Sequence, residues 1–174
     1  MNDIYTTKPG TSPEQATVQL ERMLPGPIER VWAFLTESDK RKTWLGGGAF
    51  DLRVGGKADI RFDHSNITSE KAPDGYSEHD CGGIITRIDP PRLLAFTFSA
   101  AGPESEVTFE LATRGKGVLL TITHRRIKDR NTMVSVAGGW DAHVGILEDR
   151  LNRVEPRPFW ATHAQLKKEY EARL

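Results

Sequence analysis

The chain has 174 residues, with Lys+Arg and Asp+Glu balanced at 24 each, 37% hydrophobic residues and 28% charged ones. That is the length of one domain with room for a sizeable core, and the composition of an ordinary globular protein. Zero formal charge removes the electrostatic footprint of a nucleic-acid binder or a polybasic membrane anchor, and no apolar run approaches the length of a membrane span.

Residues 1–14 read as a flexible N-terminus, without the basic region and apolar run of a signal peptide. Ala16, Val18 and Leu20 then alternate with Thr17, Gln19 and Glu21, a half-buried first strand ending at Leu24. Pro27, with its fixed φ and missing N–H, suits the first position of a helix. Ile28, Val31, Trp32 and Leu35 recur at i, i+3, i+4 and i+7, one apolar stripe on that helix. Ser38 reads as the cap of a second short helix, which stops at Trp44-Leu45 and Gly46-Gly47-Gly48.

Phe50, Leu52 and Val54 alternate with polar or small neighbours, and Gly55-Gly56 predicts a hairpin turn. The return strand puts Ala58, Ile60, Phe62 and His64 on one face and Lys57, Asp59, Arg61 and Asp63 on the other. Residues 65–79, with Pro73-Asp74-Gly75 at their middle, read as an exposed loop. Cys81 is the only cysteine, which excludes an internal disulfide and suits a reducing cytoplasm. A strand over residues 84–88 is broken by Asp89-Pro90-Pro91-Arg92, after which Leu94, Phe96 and Phe98 share a face. Val107, Phe109 and Leu111 oppose Glu106, Thr108 and Glu110, residues 114–117 form a hairpin tip, and Val118, Leu120, Ile122 and His124 share the last inward face. Six or seven antiparallel strands in succession must curl around something to bury one face.

The sequence nominates the segment from about Val134 to Val154 for that role. Trp140, Val144, Leu147 and Leu151 form a helical stripe with His143 beside it, Asp141 falls in the first turn, and Arg150 and Arg153 lie near the end, the polarity a helix dipole favours. Gly138-Gly139 loosens the approach to this helix. Glu155-Pro156-Arg157-Pro158 is a stiff spacer aiming a last amphipathic helix, with Phe159, His163, Leu166 and Tyr170, away from the preceding one. Trp160 beside Phe159 widens the apolar face, so a homodimer through this C-terminal helix is expected.

The run Pro-Ile-Glu-Arg-Val-Trp (27–32), the Trp-Leu-Gly-Gly-Gly stop (44–48), the Asp-Pro-Pro-Arg-Leu hairpin (89–93) and the Gly-Gly-Trp helix (138–140) occur in an order that resembles the helix-grip superfamily. That superfamily includes START lipid-transfer domains and polyketide cyclases. Within it the chain is similar to the branch named after the C-terminal domain of the activator of heat-shock protein 90 ATPase. The resemblance spans residues 15–154, leaving 155–174 as an appended spacer and helix. It implies an α+β fold in which a curved antiparallel sheet of six or seven strands wraps a long C-terminal helix, with two short helices after the first strand.

The resemblance also implies a cavity between that helix and the sheet. The inward faces nominate Ile60, Phe62, Phe96, Phe98, Phe109, Ile122, Trp140, His143 and Leu147 as its lining, with Trp44 closing one mouth and His124 ending an otherwise apolar strand face. Each apolar member is equally explained as core, since fully burying a large side chain is worth roughly 1.5–3 kcal/mol. His124 and His143 read either as hydrogen-bonded ends of elements or as groups that contact a ligand or move a proton. His79 and Cys81 share a strand face and His64 lies across the loop, but structural zinc takes three or four such ligands, so no metal is expected. There is no nucleophile elbow, dinucleotide fingerprint or phosphate loop, and no cofactor is expected.

The leading expectation is a cytoplasmic binding protein for a small hydrophobic or aromatic molecule. The alternative is a cofactor-free enzyme resembling the polyketide cyclases. A chaperone partner is a third reading, weakened because the eukaryotic co-chaperone couples this domain to a second one for which this chain has no room.

Overall fold

Alternation decides which side of each strand is buried. In β1 (Val18–Pro25), Val18, Leu20, Arg22 and Leu24 point inward and Glu21 outward. The same parity holds in β6 (Glu106–Arg114) and β7 (Gly117–Arg125), where Val107, Phe109, Leu111, Val118, Leu120, Ile122 and His124 are all buried. With β4 (Ile85–Asp89) and β5 (Leu93–Thr97), these strands form an antiparallel sheet in the order β1-β7-β6-β5-β4. β2 (Ile60–Phe62) and β3 (His79–Cys81) pair separately, and a bridge between Lys57 and Ile84 joins them to the larger sheet. The computed structural model describes residues 9–11 and 16–174. Of the segment expected to be a flexible N-terminus, residues 1–8 and 12–15 lie outside this description, while Thr11 exchanges backbone hydrogen bonds with Gln19 of β1.

α1 (Ile28–Thr36) and α2 (Ser38–Arg41) follow β1 as expected, with two local differences. Pro27 is the extended residue before α1 rather than its first helical one, and Glu37, not Ser38, precedes α2. The Ser38 hydroxyl instead accepts from the Gly48 N–H at 3.0 Å. Gly48 has φ +106°, and a Cβ there would fall 2.1 Å from the Asp59 carbonyl oxygen, so only glycine fits. The fully buried Arg41 holds this turn by donating to the carbonyls of Leu35, Thr36, Gly46 and Gly48. Its guanidinium also lies 3.7 Å from the Phe50 ring centroid.

The strand expected through Phe50, Leu52 and Val54 does not form. Phe50 makes one bridge, to Ala58, while Leu52 and Val54 are exposed, because no neighbouring strand covers them.

The long helix α3 runs over Arg130–Leu151, four residues earlier at its start than the sequence pattern suggests, capped by Asp129 accepting from the Thr132 N–H. Asp141, Gly138 and Gly139 therefore lie inside the helix, not at its beginning. α4 (Phe159–Arg173) folds back on α3 instead of pointing away from it. Arg157 in the spacer bonds Asp149 and Glu148, fastening the turn to α3. The loop read as merely exposed also takes part: the Glu70 carboxylate accepts from the first backbone N–H groups of α4, those of Trp160 and Ala161. Phe159 and Tyr170 are buried against the domain. Two rings of the aromatic face that suggested a second chain are thus covered within the protomer, while Trp160 stays half-buried.

Candidate functional site

α3 and the concave sheet face do not meet everywhere. Near the first half of α3 they leave a cavity of about 210 Å³, lined by Leu45, Phe62, Phe98, Ala100, Ala101, Thr132, Ser135, Val136, Gly139, Trp140 and His143. No lining residue is charged. Ala100 and Ser135 are its exposed members, and the opposite end is closed by buried rings. Gly139 contributes empty space: a Cβ built there meets no heavy atom within 4 Å.

Four of the residues nominated from sequence, Phe62, Phe98, Trp140 and His143, come together on this wall. Ile60, Phe96, Phe109, Ile122 and Leu147 are buried behind it as core. Phe109 backs Trp140 edge-on at 5.6 Å and meets Phe96 at 5.5 Å. Trp44 does not close a mouth. It is fully enclosed, donates from Nε1 to the Phe34 carbonyl at 2.7 Å, and offers its own carbonyl to His143.

His124 is also withdrawn from the cavity, and its hydrogen bonds fix its tautomer. Trp140 Nε1–H donates to His124 Nδ1 at 3.1 Å, so Nδ1 is an acceptor and the ring hydrogen sits on Nε2. Nε2 donates to the Ser105 hydroxyl at 3.1 Å, and that hydroxyl donates to the Phe98 carbonyl. Burial lowers the His124 pKa to about 4, so the ring stays neutral at pH 7. The chain from Trp140 to Phe98 holds two cavity walls in place.

His143 donates from Nδ1 to the Trp44 carbonyl at 2.7 Å. Burial, then the nearby His64 ring, lower its pKa to about 3. The His64 ring lies 5.2 Å from His143 and 4.7 Å from both Phe159 and Trp160, with Nδ1 bonded to the Tyr76 hydroxyl. Burial likewise lowers its pKa, to about 4. His79 stacks on Phe62, and Cys81 is buried in β3. Among the described residues, no three His, Cys, Asp or Glu side chains are grouped so as to hold a metal ion. No helix among them is long and apolar enough to cross a membrane.

Sequence reasoning missed Leu45, Ala100, Ala101, Thr132, Ser135, Val136 and Gly139 in the wall. It also missed a buried ion pair on the far side of α3. Arg22 Nη2 donates to Asp141 Oδ1 at 2.8 Å, and Tyr170 OH donates to Asp141 Oδ2 at 2.7 Å while accepting from the Gly10 N–H. One carboxylate thus ties β1, α3 and α4 together. Arg22 was detectable, because it occupies an inward position between Leu20 and Leu24.

Comparison with known proteins agrees with this architecture. The family model described as Activator of Hsp90 ATPase homolog 1-like protein matches residues 25–152. A protein of Bordetella parapertussis solved by NMR is 40% identical, with a TM-score of 0.81 over 98% of this chain and 93% of that one. CalU16 of Micromonospora echinospora is 23% identical with a TM-score of 0.67, covering 96% of this chain and 97% of that one. The Aha1 dimer of Colwellia psychrerythraea is 19% identical with a TM-score of 0.57, covering 78% of this chain and 95% of that one. The last two establish likeness of fold. The search of curated proteins yields no match.

Proposed function

We propose that this chain, which belongs to the Activator of Hsp90 ATPase homolog 1-like family, binds a small, neutral, largely apolar molecule between α3 and the sheet. The observation that carries the reading is the cavity of about 210 Å³ whose lining holds five large apolar side chains and no charge. A cavity of roughly 150 Å³ with such walls stays dry and takes up benzene, so this one has room for a single substituted ring. An ion there would lose its hydration with no opposite charge to replace it. Burying the roughly 150–250 Å² of one aromatic ring gives about 4–6 kcal/mol before the costs of association. Those costs only weaken binding, so the expected affinity is no tighter than about millimolar to tens of micromolar.

Native mass spectrometry of the protein purified from its own host tests the reading. The expected spectrum shows a small-molecule adduct that disappears on denaturation. A bare chain, together with no uptake of an apolar fluorescent probe by the folded protein, would overturn it.

A further inference from the structure

Besides the Thr132 and Ser135 hydroxyls, two polar groups around the cavity are already paired. Trp140 N–H is committed to His124, and the Trp44 carbonyl to His143. A carbonyl only accepts, so Nδ1 of His143 carries the ring hydrogen and Nε2 is a bare lone pair. No hydrogen bond reaches that Nε2 from the described residues, it is not among the fully buried unpaired atoms, and His143, 6% exposed, shares the cavity wall with Phe62, Phe98 and Trp140. Burial keeps the imidazole unprotonated at neutral pH, with a pKa near 3, so the lone pair remains an acceptor. An apolar ligand that displaces water from this lone pair leaves it unpaired at a cost, and a ligand bearing a donor avoids that cost.

We propose that the cavity selects a neutral aromatic molecule carrying one hydroxyl or N–H donor, a phenol being the simplest case, and that His143 Nε2 accepts the hydrogen bond. The proposal rests on the cavity being a binding site, as read above. A carboxylate would bring a second set of lone pairs against Nε2 and find no cation in the lining. A hydrocarbon of the same shape would enter but leave Nε2 unpaired.

The test compares p-cresol with p-xylene, which differ in shape by little more than a hydroxyl for a methyl. Both are titrated into the full chain at pH 7 and followed by calorimetry and by the side-chain imidazole nitrogen resonances. Burial alone ranks p-xylene first. The proposal reverses that order, with p-cresol binding roughly three- to tenfold more tightly, as a single hydrogen bond allows. The His143 Nε2 resonance then moves toward its protonated position with p-cresol and stays in place with p-xylene. Binding of both with p-xylene equal or tighter would end the donor proposal and leave the binding site standing. Preference for p-cresol with Nε2 unmoved would also end it, assigning the donor to Thr132 or Ser135. Failure of both molecules to bind would remove the binding reading and this proposal together.

Discussion

Replacing His124 with glutamine should reduce the acid sensitivity of this fold. In the folded chain His124 is fully buried, accepts from Trp140 Nε1–H and carries a pKa lowered by burial to about 4, against 6.5 when free. Above pH 6.5 neither folded nor unfolded chain is protonated there, and the neutral ring contributes its full stability. Between pH 6.5 and 4 the unfolded chain takes up a proton that the folded chain refuses, so stability falls with pH. At 1.36 kcal/mol per pH unit the total loss is about 3 kcal/mol, of which about 2 kcal/mol has gone by pH 5. Glutamine offers one acceptor and one donor, as the neutral imidazole does, but does not titrate. Urea unfolding of both proteins at pH 7 and pH 5 isolates the effect, because His64 and His143 titrate alike in each. The stability of wild type relative to H124Q should drop by about 2 kcal/mol on acidification. A difference unchanged between the two pH values would refute the buried, neutral His124.

Asp141→Ala leaves Arg22 buried without its principal partner and should cost about 3–5 kcal/mol in chemical denaturation, whereas Tyr170→Phe, which removes the hydrogen bonds to Asp141 and from Gly10, should cost about 1–3 kcal/mol. A loss below about 1 kcal/mol for Asp141→Ala would contradict the buried Arg22–Asp141 pair. Phe62→Ala should alter the affinity for an apolar fluorescent probe because it enlarges the cavity, while Phe96→Ala should lower stability by about 3–5 kcal/mol with little effect on affinity. Lys57→Ala, on the exposed face, serves as the control, and equal affinity changes from all three would show that the wall is misassigned.

Much of this architecture is legible in the sequence because strand parity is a local property. Val118, Leu120, Ile122 and His124 follow it, and all four are buried. Leu52 and Val54 show where parity fails, since alternation implies a strand only if a neighbour supplies the ladder hydrogen bonds. The helix stripe of Trp140, Val144, Leu147 and Leu151 located the sheet-facing side of α3. It gave no hint that Gly138, Ala142, Gly145 and Ile146 are buried too, because that depends on where α4 returns. The cavity was half legible. Phe62, Phe98, Trp140 and His143 are large enough to be noticed, but Ala100, Ala101 and Gly139 shape the space by what they lack. Missing volume leaves no periodic signal. Asp141 looked like a helix-dipole residue until Arg22 and Tyr170 were seen to converge on it.

Gly139 offers the most direct test of the cavity. It lies inside α3, lines the space, and a side chain there would project where no heavy atom stands within 4 Å. Replacing a helix-interior glycine with leucine favours the helix by up to about 1 kcal/mol, so Gly139→Leu should fill the cavity without unfolding the chain. The measurement is the affinity of an apolar fluorescent probe for wild type and G139L, with thermal unfolding followed in parallel. The account predicts an unfolding temperature equal to or above that of wild type, and loss of probe binding. Undiminished probe affinity in a G139L protein that remains folded would contradict it.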